Sequence, residues 1–104
     1  MEKAKFTIIR QSEAPDIKFE AAGYIVYDTA GQFEKVLNDA FSENPESITI
    51  DMEKVTVFTS LGIRVMLKAY KTAIEKKVRF EIENPSNTVR SVLKLSKLDI
   101  MLLK

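Results

Sequence analysis

The chain has 104 residues, 45% of them hydrophobic and 30% charged, which suits one compact domain that can bury a core. It contains no Cys and no His, which excludes disulfides, Cys/His zinc sites, thiol nucleophiles and Ser-His-Asp triads built from this chain alone. The net charge is +1, but residues 1–59 carry six basic against eleven acidic residues, and residues 60–104 carry ten against four.

Two strands are predicted first. The stretch "KFTIIRQ" alternates in polarity, and "DIKFEAAG" alternates more cleanly, with Ile17, Phe19 and Ala21 on one side. Pro15-Asp16 marks a short turn between them. Because the connection is so short, we expect these two strands to be antiparallel.

The next stretch, "DTAGQFEKVLNDAF", predicts the first helix. Thr29 with Gln32 three residues later matches a capping box, and Asp28 adds negative charge near the helix N-terminus. Asn44-Pro45 ends the helix. The apolar residues expected to form its buried face are Phe33, Val36, Leu37, Ala40 and Phe41.

The second half alternates strands and helices. "SITIDM" predicts a strand, a turn follows at Glu53-Lys54, and "VTVF" leads into a second helix over about 61–76. "KVRFEIE" predicts another strand, and Asn84-Pro85-Ser86 is expected to form a turn and the cap of a third helix, "NTVRSVLKL". The apolar tail "LDIMLLK" is either a short strand or a helical end docked on the core. The second helix is expected to bury Ile63, Met66, Leu67, Tyr70 and Ile74.

The element order is therefore β-β-α-β-α-β-α. Helices between strands act as crossovers, so the later strands should be parallel. We expect one two-layer α/β domain over residues 1–104, with a mixed, mostly parallel sheet of four or five strands and helices packed against it.

The junction Thr59-Ser60-Leu61-Gly62 ends a strand and begins a helix. Thr59 or Ser60 can accept a hydrogen bond from a free helix N–H as an N-cap, which contributes about 1 kcal/mol. Gly62 costs up to roughly 1 kcal/mol relative to Ala in a helix. Either close approach of a partner or anion, or tight packing against a neighbouring strand, would account for it.

Most of the chain, about residues 17–103, resembles the STAS domain of bacterial anti-sigma factor antagonists. The resemblance is carried by the strand with Asp before "VT" that leads into a Gly-containing helix, by "NPSNTVRSVLKLSKLD", and by "AAGYIVYDTAGQF". It implies a bacterial protein that regulates transcription. A cytoplasmic location is expected separately, because no apolar run is long enough for a membrane span and the first residues lack the apolar core of a signal peptide. Such a protein binds an anti-sigma factor that is also a serine kinase, and phosphorylation at the start of the second helix ends the association.

The motif departs from the family at the acceptor loop. Asp-Ser-Ser-Gly in the family corresponds here to Thr59, Ser60, Leu61 and Gly62, so Leu61 replaces the usual phosphoacceptor, and a further family Asp is Val26 here. Either Ser60 or Thr59 is a displaced acceptor, or the domain binds without being phosphorylated. A phosphoryl group here would be favoured by the helix dipole and would act on whatever docks there.

The resemblance places the partner surface around this junction, where an exposed Leu61 would add apolar area. No cofactor, no metal and no membrane association are expected. The residues predicted to bind the anti-sigma factor are Tyr27, Asp28, Thr29, Thr59, Ser60, Leu61, Gly62 and Arg64.

The sequence leaves two other classes of function open. A nucleic-acid or anion-binding protein would use the basic second half, although no aromatic residues interleave with its lysines for base stacking. An enzyme would have to use carboxylate pairs such as Asp51 with Glu53 or Glu81 with Glu83, which are expected to face solvent, so we expect no catalysis. The basic residues in question are Lys68, Lys71, Lys76, Lys77, Arg90, Lys94 and Lys97.

Overall fold

A computed structural model describes residues 5–103, which form four strands and four helices. In chain order these are β1 (Phe6–Ser12), β2 (Asp16–Ile25), α1 (Ala30–Phe41), β3 (Ser47–Phe58), α2 (Ser60–Lys76), β4 (Arg79–Glu83), α3 (Asn87–Leu95) and α4 (Asp99–Leu102). The predicted order β-β-α-β-α-β-α is confirmed, with α4 as an added short helix. The apolar tail is thus helical, and Leu103 beyond it makes a parallel bridge to Ile82.

The strands form one mixed sheet in the order β1-β2-β3-β4. β1 is antiparallel to β2, with Ile8 opposite Ala21, while β3 is parallel to both β2 and β4. This agrees with the expectation, because the first connection is a tight turn and the later ones contain helices long enough for a crossover.

The helices cover one face of the sheet. Alternate residues of the strands are buried there, as in β2, where Ile17, Phe19 and Ala21 are at most 4% exposed. The residues between them lie on an open, charged face, where the Nζ of Lys18 is 2.8 Å from an Oε of Glu83. This division gives the predicted two layers, since only one face of the sheet is apolar enough to pack.

The predicted turn at Glu53-Lys54 is wrong, because β3 runs unbroken through it. The register between β2 and β3 shifts twice, and each shift places one extra residue in β3. β-Bulges of this kind interrupt the two-residue alternation without ending a strand. The broken alternation around Glu53 therefore marks a bulge and not a turn.

The predicted buried face of α2 is also largely wrong. Of the five residues expected there, only Met66 is fully buried, while Leu67 is 38% and Ile74 is 61% exposed. The buried face of α2 is built largely from smaller side chains, and of the larger apolar residues expected inside only Met66 belongs to it. The buried residues of α2 are Gly62, Val65, Met66, Ala69 and Ala73.

Candidate partner-binding surface

Two strand-to-helix junctions lie side by side at the carboxyl ends of β2 and β3. Ile25 and Phe58, the last residues of the two strands, are paired in the sheet. Both the backbone N and the Oγ1 of Thr59 donate to the carbonyl oxygen of Ile25, at 3.2 and 3.1 Å. The loop of residues 26–29 and the junction of residues 59–62 are consequently neighbours in space.

The loop before α1 is held by a buried threonine. Thr29 is 5% exposed, and its Oγ1 accepts from the backbone N of Val26 at 2.9 Å and donates to the carbonyl of Tyr24. The predicted capping box is wrong, because this hydroxyl is turned back toward the loop and makes no cap bond to α1. Tyr27, at the outside of the same loop, is 84% exposed, and Asp28 beside it is also exposed.

The junction before α2 leaves the helix without a side-chain cap. Thr59 occupies the N-cap position but makes no cap bond, and its hydroxyl instead donates to the carbonyl oxygen of Ile25 in β2. The first intrahelical bond of α2 runs from the backbone N of Ile63 to the carbonyl of Thr59. The N–H groups of the three preceding residues have no acceptor within the helix, and no acidic side chain lies in its first turn. Ser60, which begins the helix, is exposed.

Packing against the strands accounts for Gly62. A Cβ placed on Gly62 would lie 3.0 Å from Cγ2 of Ile25 and 3.0 Å from Cε1 of Phe58. Real Cβ atoms rarely approach other atoms so closely, so the second of the two sequence explanations is the one that the structure supports. Leu61, which was expected to be exposed, is half-buried and packs against the core.

The predicted site residues therefore differ in their solvent exposure. Thr29 and Gly62 are buried and shape the two junctions from below, and Thr59 is half-buried with its hydroxyl occupied. The remaining residues can meet another molecule, and we call them the tip surface: Tyr27, Asp28, Ser60, Leu61 and Arg64.

Sequence reasoning missed an apolar groove between α2 and α3, next to the tip surface. It encloses about 380 Å³ and is lined by Phe58, Ser60, Ile63, Val92, Leu95 and Ser96. The available signal was that α2 has more apolar residues than one buried face can hold. They were assigned to the core, whereas several of them face outward.

The carboxylates considered for catalysis are used in structural contacts. One Oδ of Asp51 accepts from the backbone N of Glu53 at 3.0 Å, and the other accepts from the Asn84 amide at 3.1 Å. The Glu83 carboxylate hydrogen-bonds Lys18 and raises the pKa of that lysine. Over residues 5–103, no group of three or more acidic residues is placed to hold a metal ion.

The basic residues of the second half lie mainly on the exposed sides of α2 and α3. Lys68 is 3.6 Å from a carboxylate oxygen of Glu34, which links α2 to α1. None of the helices in the described part of the chain is both long and apolar enough to cross a membrane.

The fold of this chain is similar to that of solved anti-sigma factor antagonists. No curated protein matches the chain. An anti-sigma factor antagonist from Mycobacterium paratuberculosis superposes with a TM-score of 0.85 at 20% identity, over 95% of this chain and 85% of that one. The antagonist SpoIIAA in its unphosphorylated form gives 0.80 at 19% identity, over 96% and 86%. SpoIIAA of Bacillus in its phosphorylated form gives 0.74 at 19% identity, over 96% and 89%.

At such identities the solved structures establish the fold alone. The STAS domain family model, however, matches residues 8–103, nearly the whole chain. This protein therefore belongs to the STAS domain family.

Proposed function

We propose that this protein is a bacterial, cytoplasmic anti-sigma factor antagonist that regulates transcription by binding a serine kinase-like anti-sigma factor. The observation that carries the proposal is the tip surface, where the exposed Tyr27 lies on the loop beside the exposed Ser60. Two proteins of similar fold are themselves antagonists of this class. On this proposal the domain acts as a binding module and not as an enzyme.

Ser60 is the better candidate for a phosphoacceptor. The hydroxyl of Thr59 is half-buried and donates to the Ile25 carbonyl, whereas Ser60 is exposed at the positive end of the α2 dipole. A phosphoryl group on Ser60 would add a charge of about −1.5 to −2 where a partner docks. Its effect would fall on binding and not on folding, because the uncapped N–H groups of α2 favour an anion.

The partner surface is tested with Tyr27→Ala. We expect the unmodified protein to capture a serine kinase-like anti-sigma factor from lysate of its source bacterium, identified by mass spectrometry. In a calorimetric titration with that purified partner, Tyr27→Ala should weaken binding about tenfold, since exposed aromatic residues often dominate interfaces. Its thermal midpoint should stay unchanged, because the side chain is 84% exposed.

Ile9→Ala provides the matched control. Ile9 is a 58% exposed apolar residue on β1, on the open face of the sheet. This variant should bind the partner as the unmodified protein does. If no kinase-like anti-sigma factor is captured, or if Tyr27→Ala binds with unchanged affinity, the proposed function or its surface is wrong.

The switch is tested by intact mass. After incubation with the captured partner and ATP, we expect one phosphoryl adduct on the unmodified protein and none on Ser60→Ala. An adduct that persists on Ser60→Ala and disappears on Thr59→Ala would instead assign the acceptor to Thr59. Absence of any adduct with full partner binding would mean that the domain binds constitutively.

A further inference from the structure

An exposed apolar stripe runs along α2 beside the tip surface. It consists of Ile63, Leu67, Tyr70 and Ile74, which are spaced i, i+4, i+7 and i+11 and so lie on one helix face. Leu67 and Ile74 are 38% and 61% exposed, and the other two are half-buried. The stripe covers three turns, about 16 Å.

The stripe opens into the groove between α2 and α3. Ile63 belongs to both, and the opposite wall of the groove is formed by Val92 and by Leu95, which is 86% exposed. The groove has a volume of about 380 Å³ and continues into a three-turn apolar stripe, an arrangement that suits one short amphipathic helix laid along the stripe. Ser60 lines its end, so the groove is continuous with the tip surface.

The charges around this site are mainly basic. α2 carries four basic residues and one acidic residue, and α3 carries two basic residues and no acidic one. Arg64 and Lys71 follow the stripe on the solvent side of α2 and are exposed. Lys68 of α2 forms an ion pair with Glu34 of α1.

The basic charge around the groove favours one kind of ligand over another. In a symmetric dimer through this face, the same patch would meet itself, so one basic surface would face another. Like charges across an interface disfavour association, whereas an occupant with acidic flanks would be attracted. We propose that the groove binds an acidic amphipathic helix of the protein partner. The inference rests on the proposed function, because the groove adjoins the tip surface and would engage the same partner.

The test uses two stapled helical peptides of about 15 residues, a length at which unstapled helices are only marginally stable. Both carry Leu at i, i+4, i+7 and i+11, and their flanking positions are Glu in one and Lys in the other. At low salt we expect the acidic peptide to bind at least tenfold more tightly than the basic one. It should shift the backbone NMR signals of α2 and α3, and its affinity should fall as salt is added.

Charge-reversal variants identify the surface. The double variant Arg64→Glu, Lys71→Glu should reverse the preference between the two peptides, while Lys35→Glu on the exposed side of α1 should leave it unchanged. Tyr27→Ala should bind the acidic peptide normally, since Tyr27 does not line the groove. The peptide assay contains no anti-sigma factor, so its failure is distinguishable from failure of the proposed function.

Four results would overturn the inference. These are equal binding of the two peptides, NMR shifts confined to other elements, and a dimer in sedimentation that Ile74→Lys dissociates. The fourth is tighter binding of a single-stranded oligonucleotide than of the acidic peptide, which would favour a nucleic-acid partner.

Discussion

The two junctions at the carboxyl edge of the sheet are built from similar residues but are stabilised differently. Before α1, the Thr29 hydroxyl is buried and bonds two backbone groups of its own loop. Before α2, the Thr59 hydroxyl crosses to β2 and bonds a carbonyl that the backbone N of the same residue already bonds. The first junction depends on hydrogen bonding, and the second depends more on packing around Gly62.

At both junctions, the residues that stabilise the backbone differ from the residues that are exposed for binding. The loop before α1 is held by the buried Thr29 hydroxyl, and Tyr27 on the outer side of the loop remains exposed to solvent. The junction before α2 is wedged against Ile25 and Phe58, which leaves Ser60 outside and the first helix amides uncapped. Threonine and glycine shape the tip surface, and their neighbours are the residues available for binding.

The largest expected effect comes from filling the space above Gly62. Gly62→Val should lower the free energy of unfolding by about 2–3 kcal/mol, because its side chain would overlap Ile25 and Phe58. The matched control is Gly31→Val in the first turn of α1, where a Cβ meets no atom within 4 Å. That variant should change stability by less than about 0.5 kcal/mol, since Val and Gly differ little in helix propensity.

Urea unfolding of both valine variants measures this difference. Similar stabilities for Gly62→Val and Gly31→Val would show that the junction before α2 can relax around a larger side chain. The claim that this junction depends on close packing around Gly62 would then be wrong.

The two threonines should respond unequally to the same substitution. Thr29→Val should cost about 2 kcal/mol, since a partly buried N–H of Val26 loses its acceptor. Thr59→Val should cost about 1 kcal/mol, because the Ile25 carbonyl keeps its bond from the backbone N of residue 59. Urea unfolding measures both losses, and equal or reversed losses would contradict the division between a hydrogen-bonded and a packed junction.

The smallest effect on stability is expected just after the C-terminus of α1, where the contact is an ion pair at the surface and not a threonine hydroxyl. Arg10 of β1 hydrogen-bonds the Glu43 carboxylate, one bond being 2.9 Å, and thereby lowers the pKa of Glu43 from its ordinary 4.5. A lowered folded-state pKa means that the stabilisation is complete above the ordinary value and is lost as pH falls through the lowered one.

Glu43→Gln should therefore be slightly less stable than the unmodified protein at neutral pH, and this difference should shrink as the pH falls below 4.5. Glu46→Gln, at an exposed residue nearby, is the control and should show no such trend. Urea midpoints measured across the acid range give the comparison, and a difference that grows with acidity would contradict the assigned direction.

Much of the fold was predictable because it depends on local pattern. Alternation in β2 and β4, the helical spacing in α1 and the Ser86 cap of α3 each act within a few residues, and each was predicted correctly. The Ser86 hydroxyl accepts from the backbone N of Val89 at 3.2 Å, as a cap residue should. The same local patterns predicted helix caps at Thr29 and Thr59, where none forms. Both hydroxyls are instead directed to carbonyl oxygens outside their helices.

The sequence alone determined the element order, the parallel and antiparallel pairings and the position of the junction at residues 59–62, since short-range polarity and connection length dictate them. Only the tertiary structure decided which of these residues reach the surface and which face of α2 turns inward. The packing of α2 decides both, because Gly62 fits closely against Ile25 and Phe58, and the buried face of the helix is the one that carries Ala69 and Ala73. The same close fit leaves Leu67 and Ile74 outside, where they form a surface that sequence periodicity had assigned to the core.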